Sequence, residues 1–453
     1  MGGYISFGKY NKNYKFILFY ILSQLAGKYL FQKELIDKIG LDKSIISDHK
    51  LIQEIFNYIG IFFFSIILLL YENFLKKERN NSESDLLSNK VESNFYTQKL
   101  IYKDQLKGKI PLIKIILIIF LLFLERQSLV AFYKCGLKDL DFWMFEMFFI
   151  YIISSKIMGV PTYKHQIISV YFVIIFSCIS KIISNILIYY DSKAKIYKTY
   201  EILIPLGAII FLSITYTRAY VCCKIKWLID LKYISSYKLL VIYGLMGIII
   251  CSVASIIATY DPCEDTIISF EEMIKICSYK RTIIDNEKNI NNTFYYYENF
   301  IVYHDKIYKD GNLPAFGNVC LIIMKTIITF FVNLFSVLII KNLNPLFFIC
   351  ARFIYYFFVR LIDMVIYSAK KEKIKVENYF DLLSEVFGLL GILVYTELVE
   401  LNFCDLNHNL KKNIIKRSEE EVEDISDIDV DDNSKLNADN DDLTINSNDI
   451  SIG

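Results

Sequence analysis

Residues 239–260 read LLVIYGLMGIIICSVASIIATY, twenty-two residues without one charged side chain. As an α-helix this stretch extends about 33 Å, enough to cross a hydrocarbon core of about 30 Å. Water would meet apolar surface on every face of it, whereas a bilayer solvates those side chains and the helix satisfies its own backbone groups. Outward from this stretch, the runs at 55–70, 111–124 and 321–340 meet or approach the same length. The sequence predicts ten spans in all, at about 14–31, 55–74, 110–129, 142–160, 166–190, 201–221, 237–260, 317–340, 345–367 and 379–401. The expected fold class is all-α, a polytopic membrane protein with the lipid bilayer as its first partner.

Composition agrees. Hydrophobic residues form 54% of the 453, and the mean hydropathy is +0.37, too apolar for one soluble domain. The net charge of +1 hides an asymmetry, because residues 418–453 hold thirteen Asp or Glu against the single Lys435. Such a tail is expected to be disordered. The first apolar run is followed by Gln32, Lys33 and Glu34 rather than a small-residue cleavage site, so it reads as a retained span. Met1-Gly2 with Ser6 fits the N-myristoylation pattern, and adjacent Cys222 and Cys223 are small apolar residues or palmitoylation sites.

An even number of spans puts both termini on one side, and loop charge favours the cytosol. The 2–3 loop carries Lys76, Lys77, Arg79, Lys90, Lys99, Lys103, Lys107 and Lys109, and the 6–7 loop is read as carrying Arg218, Lys224, Lys226, Lys232 and Lys238. Lys370, Lys371, Lys373 and Lys375 between spans 9 and 10 oppose this orientation. The chain thus divides into a cytosolic segment 1–13, a five-helix half 14–190, a second half 191–410 with a long lumenal or extracellular loop at 261–315, and the acidic cytosolic tail 411–453. The long loop has ten acidic and six basic side chains and the sequon Asn291-Asn292-Thr293, meaningful only if it faces a lumen or the exterior. Cys263 and Cys277 in it are either free thiols or a disulfide, which would contribute about 3 kcal/mol in an oxidising compartment.

Spans 3–5 and 8–10 share a rhythm of helix, tight hinge, helix, basic loop and helix, with hinges Lys138-Asp139-Leu140-Asp141 and Lys341-Asn342-Leu343-Asn344. Five spans repeated once forces the halves into opposite orientations, a layout that secondary transporters use to build a central site. With Asn344-Pro345 opening span 9, Phe387-Gly388-Leu389-Leu390-Gly391 in span 10 and the cysteine-bearing loop between spans 7 and 8, the chain resembles the drug/metabolite transporter superfamily over about residues 14–401. The likeness is to its nucleotide-sugar and chloroquine-resistance-transporter-like branches. Stretches at 226–234 and 400–404 also resemble multi-span proteins of lower eukaryotes. The resemblance implies two inverted five-helix repeats in a eukaryotic endomembrane or plasma membrane, carrying a small-molecule solute. Span 5, opening Lys164-His165-Gln166, departs from the family in lacking its glycines, and no substrate-defining motif carries over.

Ionisable groups inside spans are costly and face a bundle interior or a watery cavity. At 100° per residue, Arg352 and Asp363 lie about 20° apart on span 9, with Tyr356 and Arg360 near the same stripe. Arg352 falls about 12 Å into the helix, near mid-membrane. Arg360 and Asp363 at i and i+3 are able to pair with each other. Glu146, five residues past the matching hinge, approaches Arg352 under the pseudo-symmetry. Lys325 and Asn333 share a face of span 8, Lys325 alternatively snorkelling to the interface. Lys28, Lys114 and Lys181 lie in or near spans, and Glu385 is the acidic residue of span 10. The predominance of cations favours an anionic or zwitterionic solute, with Arg352 holding carboxylate or phosphate in bidentate fashion.

The sequence predicts no enzyme. Its four histidines, His49, His165, His304 and His408, form no cluster, and no CxxC, HExxH, P-loop or GxSxG occurs. No metal, cofactor or nucleic-acid partner is expected, and the oligomeric state is left open. A non-transporting scaffold or receptor, and a membrane transferase using one His, are the alternatives.

Overall fold

The computed structural model describes residues 5–7, 12–31, 50–83, 112–134, 144–157, 163–191, 203–232, 234–260, 279–285, 290–296, 314–370, 376–401 and 413. Their helices are α1 (Lys15–Tyr29), α2 (Lys50–Glu83), α3 (Leu112–Lys134), α4 (Met144–Ile157), α5, α6 (Leu203–Lys232), α7 (Ser236–Tyr260), α8 (Pro314–Asn342), α9 (Pro345–Ala369) and α10 (Val376–Tyr395). Helix α5 runs Lys164–Phe172, passes through a π-helical turn at Val173–Ser177 and continues as Cys178–Asp191. Seven of these helices are long and apolar enough to cross a membrane: α2, α5, α6, α7, α8, α9 and α10. Of the others, α1 and α4 have 15 and 14 residues, about 22 and 21 Å of helix against a core of about 30 Å. Helix α3 carries Lys114, Glu125 and Arg126.

Helix boundaries follow local chemistry. Asn344 caps α9, its Oδ1 accepting from Phe347 N at 2.9 Å, and Pro345 stands in the first turn, where its missing N–H costs nothing. Helix α6 runs on past the sequence expectation to Lys232, so Arg218, Lys224, Lys226 and Lys232 are helical rather than loop residues. Lys226 Nζ donates to the Lys341 carbonyl at 2.7 Å, placing a cation at the negative end of α8.

The all-α expectation is met apart from two short antiparallel strand pairs. Strand β1 (Ile5–Phe7) pairs with β4 (Val399–Leu401), and β2 (Tyr279–Asp285) with β3 (Ile290–Tyr296) as a hairpin. The long loop between spans 7 and 8 therefore holds a hairpin containing Asn291, while Cys263 and Cys277 lie outside the described residues. So does the acidic tail, apart from Asn413.

Two compact units divide the chain. The smaller comprises Met1–Lys9, Thr162–Ser169 and Leu393–Gly453. Within it, β1 pairs with β4, and the buried His165 lies 3.2 Å through Nε2 from Glu397 Oε1 and stacks on Tyr163. Glu397 stands at φ 59°, the left-handed conformation that closes many helices.

The larger unit, Tyr10–Pro161 and Val170–Ile392, contains the helical bundle. Tyr58, Ile61, Ile119, Phe123, Val221, Leu228, Tyr243 and Phe330 form its main core, where α2, α3, α6, α7 and α8 meet. Apolar side chains also cover the outside: Phe63, Ile67, Leu70 and Phe74 along α2, and Ile249, Val253, Ile256 and Ile257 along α7. A bundle apolar both within and without is suited to lipid as solvent. Helices α2 and α7 approach closely because α7 offers glycines, the Gly247 Cα facing the Tyr58 ring and Gly244 facing the Phe62 backbone. With Glu72 accepting from Ser235 Oγ just before α7, these contacts run in opposite order along the two chains, so the helices are antiparallel.

Candidate solute-binding cavity

Helices α1, α3, α6, α7, α8 and α9 line a cavity of about 550 Å³ within the larger unit, a volume suited to a small organic molecule. Its wall carries five basic side chains: Lys28 from α1, Arg126 from α3, Arg218 from α6, Lys325 from α8 and Arg352 from α9. Glu125 of α3 is the carboxylate among them, and Tyr20, Gln24, Asn333 and Tyr356 add polar groups. Cations at this depth persist where carboxylates and hydrogen bonds compensate them, and the surrounding helices supply both.

Arg352 donates through Nη1 to Glu146 Oε2 of α4. The same carboxylate lies 4.0 Å from Arg218 Nη1, and Arg218 Nη2 pairs with Glu125. Charges thus alternate in the order Glu125, Arg218, Glu146, Arg352, linking α3, α6, α4 and α9. Glu146 is 1% exposed, and its Oε1 has no hydrogen-bond partner among the described residues. The Arg352 guanidinium also sits over the rings of Phe348 and Tyr356, at 5.9 and 6.0 Å from their centroids.

A second group holds Arg126. Its Nη2 is 3.1 Å from Glu54 of α2, and its Nη1 donates to Tyr243 Oη of α7 at 3.3 Å. Tyr243 in turn shares a 3.3 Å hydrogen bond with the buried Tyr58 hydroxyl. Lys28 Nζ donates to Asp363 Oδ2 at 2.6 Å, and Tyr29 Oη donates to Asp363 Oδ1 at 3.0 Å.

Of the residues singled out from sequence, Arg352, Lys325, Asn333 and Tyr356 line the cavity. Asn333 Nδ2 donates to the Thr329 carbonyl at 2.8 Å, leaving its amide oxygen as an acceptor. Glu146 stands outside the lining, bonded to Arg352 as the pseudo-symmetric placement anticipated. Arg360 and Asp363 do not line the cavity, and their ion pairs run to other helices. Asp363 goes to α1 as described, and Arg360 to α10, 3.1 Å from Asp381 and 3.6 Å from Glu385. Lys181 of α5 completes that cluster, 2.9 Å from Asp381, beside reciprocal hydrogen bonds between Ser177 and Ser384.

Sequence reasoning missed Arg218, Glu125, Arg126 and Glu54. The signal available was the Glu125-Arg126 pair within the third apolar stretch, since two adjacent charges there require two separate partners. Cys222 and Cys223 are buried among helices, as structural thiols are. Among the described residues no group of three or more His, Cys, Asp or Glu is arranged to hold a metal. No protein-family model matches the chain, and comparison with curated proteins finds no match.

Proposed function

We propose that this multi-span membrane protein is a carrier for a small anionic or zwitterionic solute, built in the manner of the drug/metabolite transporters. The observation that carries the proposal is the cavity itself, whose wall brings five basic side chains from five helices around one solute-sized space. Arg352 and Arg218 offer guanidinium forks to carboxylate or phosphate, with Lys325 and Asn333 opposing the other end of the solute. Glu146 neutralises Arg352, and when a solute anion reaches that guanidinium the carboxylate shifts toward Arg218, 4.0 Å away. Two five-helix halves rocking about the site would expose it alternately to each side.

Ten crossings are supported by a parity argument. Before α1, β1 pairs with β4, which follows α10, and His165 at the start of α5 lies beside Glu397. A chain returns to the same face of a bilayer only after an even number of crossings. Among the described residues between β1 and α5, α2 alone meets by itself the length and composition required. Crossing by α1, α3 and α4 as well would satisfy that parity and give the repeated five-helix layout.

The test is thermal unfolding of the purified protein against nucleotide sugars, amino acids, short peptides, organic anions and cationic drugs, followed by uptake of any stabilising solute into proteoliposomes. At a hundred times its dissociation constant a ligand stabilises by about 2.7 kcal/mol. An anionic class that stabilises the wild type and enters vesicles, but does neither with Arg352→Gln/Glu146→Gln, is the expected result. Stabilisation and uptake retained in that double variant remove Arg352 from the site. No stabilisation and no uptake favour a scaffold or receptor, a reading in which the Arg352–Glu146 pair is purely structural.

A further inference from the structure

The chain contains a second sequon, Asn80-Asn81-Ser82, in addition to Asn291-Asn292-Thr293. The first lies in the last turn of α2, beyond the apolar stretch Leu51–Leu75, and the second lies in strand β3, with Asn291 paired to Ile284 and Thr293 to Thr282. The antiparallel packing of α2 on α7 fixes which ends of these helices are neighbours. Glu72, eight residues before Asn80, bonds to Ser235 at the head of α7, whereas Tyr58, one turn deeper than Phe62, faces Gly247. Helix α7 then runs 25 residues away from that end, about 37 Å, before the chain enters the segment that holds the hairpin. The two sequons accordingly flank one membrane-crossing helix at its opposite ends.

A glycosylating enzyme confined to one side of a membrane meets one of them and never both. Charge selects which. The Asn80 side carries Lys76, Lys77 and Arg79 in α2 directly after its apolar stretch, and Lys224, Lys226, Lys232 and Lys238 around the α6–α7 turn. Lys341 at the end of α8, held to Lys226, belongs to the same side. The hairpin side has one basic residue, Lys275, in the fifteen after α7, and Lys306 and Lys309 in the fifteen before α8. Lys38, Lys43 and Lys50 up to the first residue of α2, Lys193, Lys195 and Lys198 before α6 and Lys370, Lys371, Lys373 and Lys375 after α9 are the opposing charges, but the densest basic segment, eight basic residues from Lys76 to Lys109, is on the Asn80 side. Basic residues close to span ends mark the cytosolic face.

We infer that the hairpin is exoplasmic and that Asn291 carries an N-linked glycan, while Asn80 is cytosolic and bare. In the transfer, Asn291 Nδ2 forms a bond to the anomeric carbon of a lipid-linked diphosphate oligosaccharide. The anomeric C–O bond to the diphosphate breaks, the lipid diphosphate leaves with that electron pair, and the Nδ2 proton passes to solvent. Thr293 supplies the hydroxyl at the second position after the acceptor that the transferase reads. The inference needs α7 to cross the bilayer and is independent of what the cavity binds.

The experiment expresses the full chain in a eukaryotic host and follows its electrophoretic mobility with and without an endoglycosidase. One glycan is expected, present in the wild type, N80Q and T293S, and absent from N291Q and T293A. T293S keeps a functional sequon and so controls for damage to the hairpin by substitution at that position. A glycan that survives N291Q and disappears in N80Q reverses the orientation and overturns the inference. A chain whose mobility the endoglycosidase leaves unchanged in all five proteins overturns the modification.

Discussion

Arg352 and Glu146 show what one buried pair costs and contributes. Removing one partner leaves a charge in a low-dielectric interior, so Arg352→Gln and Glu146→Gln should each destabilise the protein by about 3–5 kcal/mol. The double variant strands no charge, and its loss should fall well below the sum; additive losses in detergent unfolding would mean the two groups do not interact. This pair was legible because Glu146 and Arg352 sit five and eight residues past the two similar hinges, which brings them within about one turn of the same depth. Arg218 was not legible. Its helix continues through Lys224, Lys226 and Lys232, and in a sequence such a run of cations looks like a loop until the carboxylates and carbonyls that receive them are known. Glu125 and Arg126 escaped for a different reason: neighbours 100° apart form no stripe, and their partners lie on two different helices.

Among the elements, the best-defined contact is that of α2 with α7, where a glycine pair substitutes for the missing hydrophobic drive between helices in lipid. A Cβ on Gly247 would stand 2.2 Å from Tyr58 Cδ1, and one on Gly244 would stand 2.7 Å from the Phe62 backbone nitrogen. Gly247→Ala and Gly244→Ala should each lower stability by about 1–3 kcal/mol. Gly27→Ala, whose new methyl meets only Ile328 Cγ2 at 3.3 Å, should cost less. Equal midpoints for all three in thermal unfolding would show that α2 and α7 are not this close. The helices themselves were readable because apolar runs of this length have few other uses. Their true ends were less so: α1, Lys15–Tyr29, is shorter than the apolar stretch read at 14–31. The π-helical turn in α5 left no trace in a pattern that is apolar on every side, although it lies where Ser177 meets Ser384.

At the scale of the whole molecule, the fold class follows from solvent: apolar surface outside, charge inside, and ion pairs between helices far apart in sequence, such as Lys28 with Asp363 and Lys181 with Asp381. The site was half legible for the same reason, since a sequence shows which charges lie within the membrane but not which of them face one another. The alternation of Glu125, Arg218, Glu146 and Arg352 has an electrical consequence. A transmembrane voltage acts on net charge, and these four groups carry equal numbers of each sign, so the field exerts almost no net pull on them as the bundle moves. On the carrier reading proposed above, the voltage dependence of uptake should then reflect the solute and any accompanying proton, at most about 2.3 kcal/mol per elementary charge per 100 mV. Uptake into proteoliposomes under imposed diffusion potentials measures that slope. A steeper one would mean that the pairs separate during the cycle and that the protein's own arginines travel through the field.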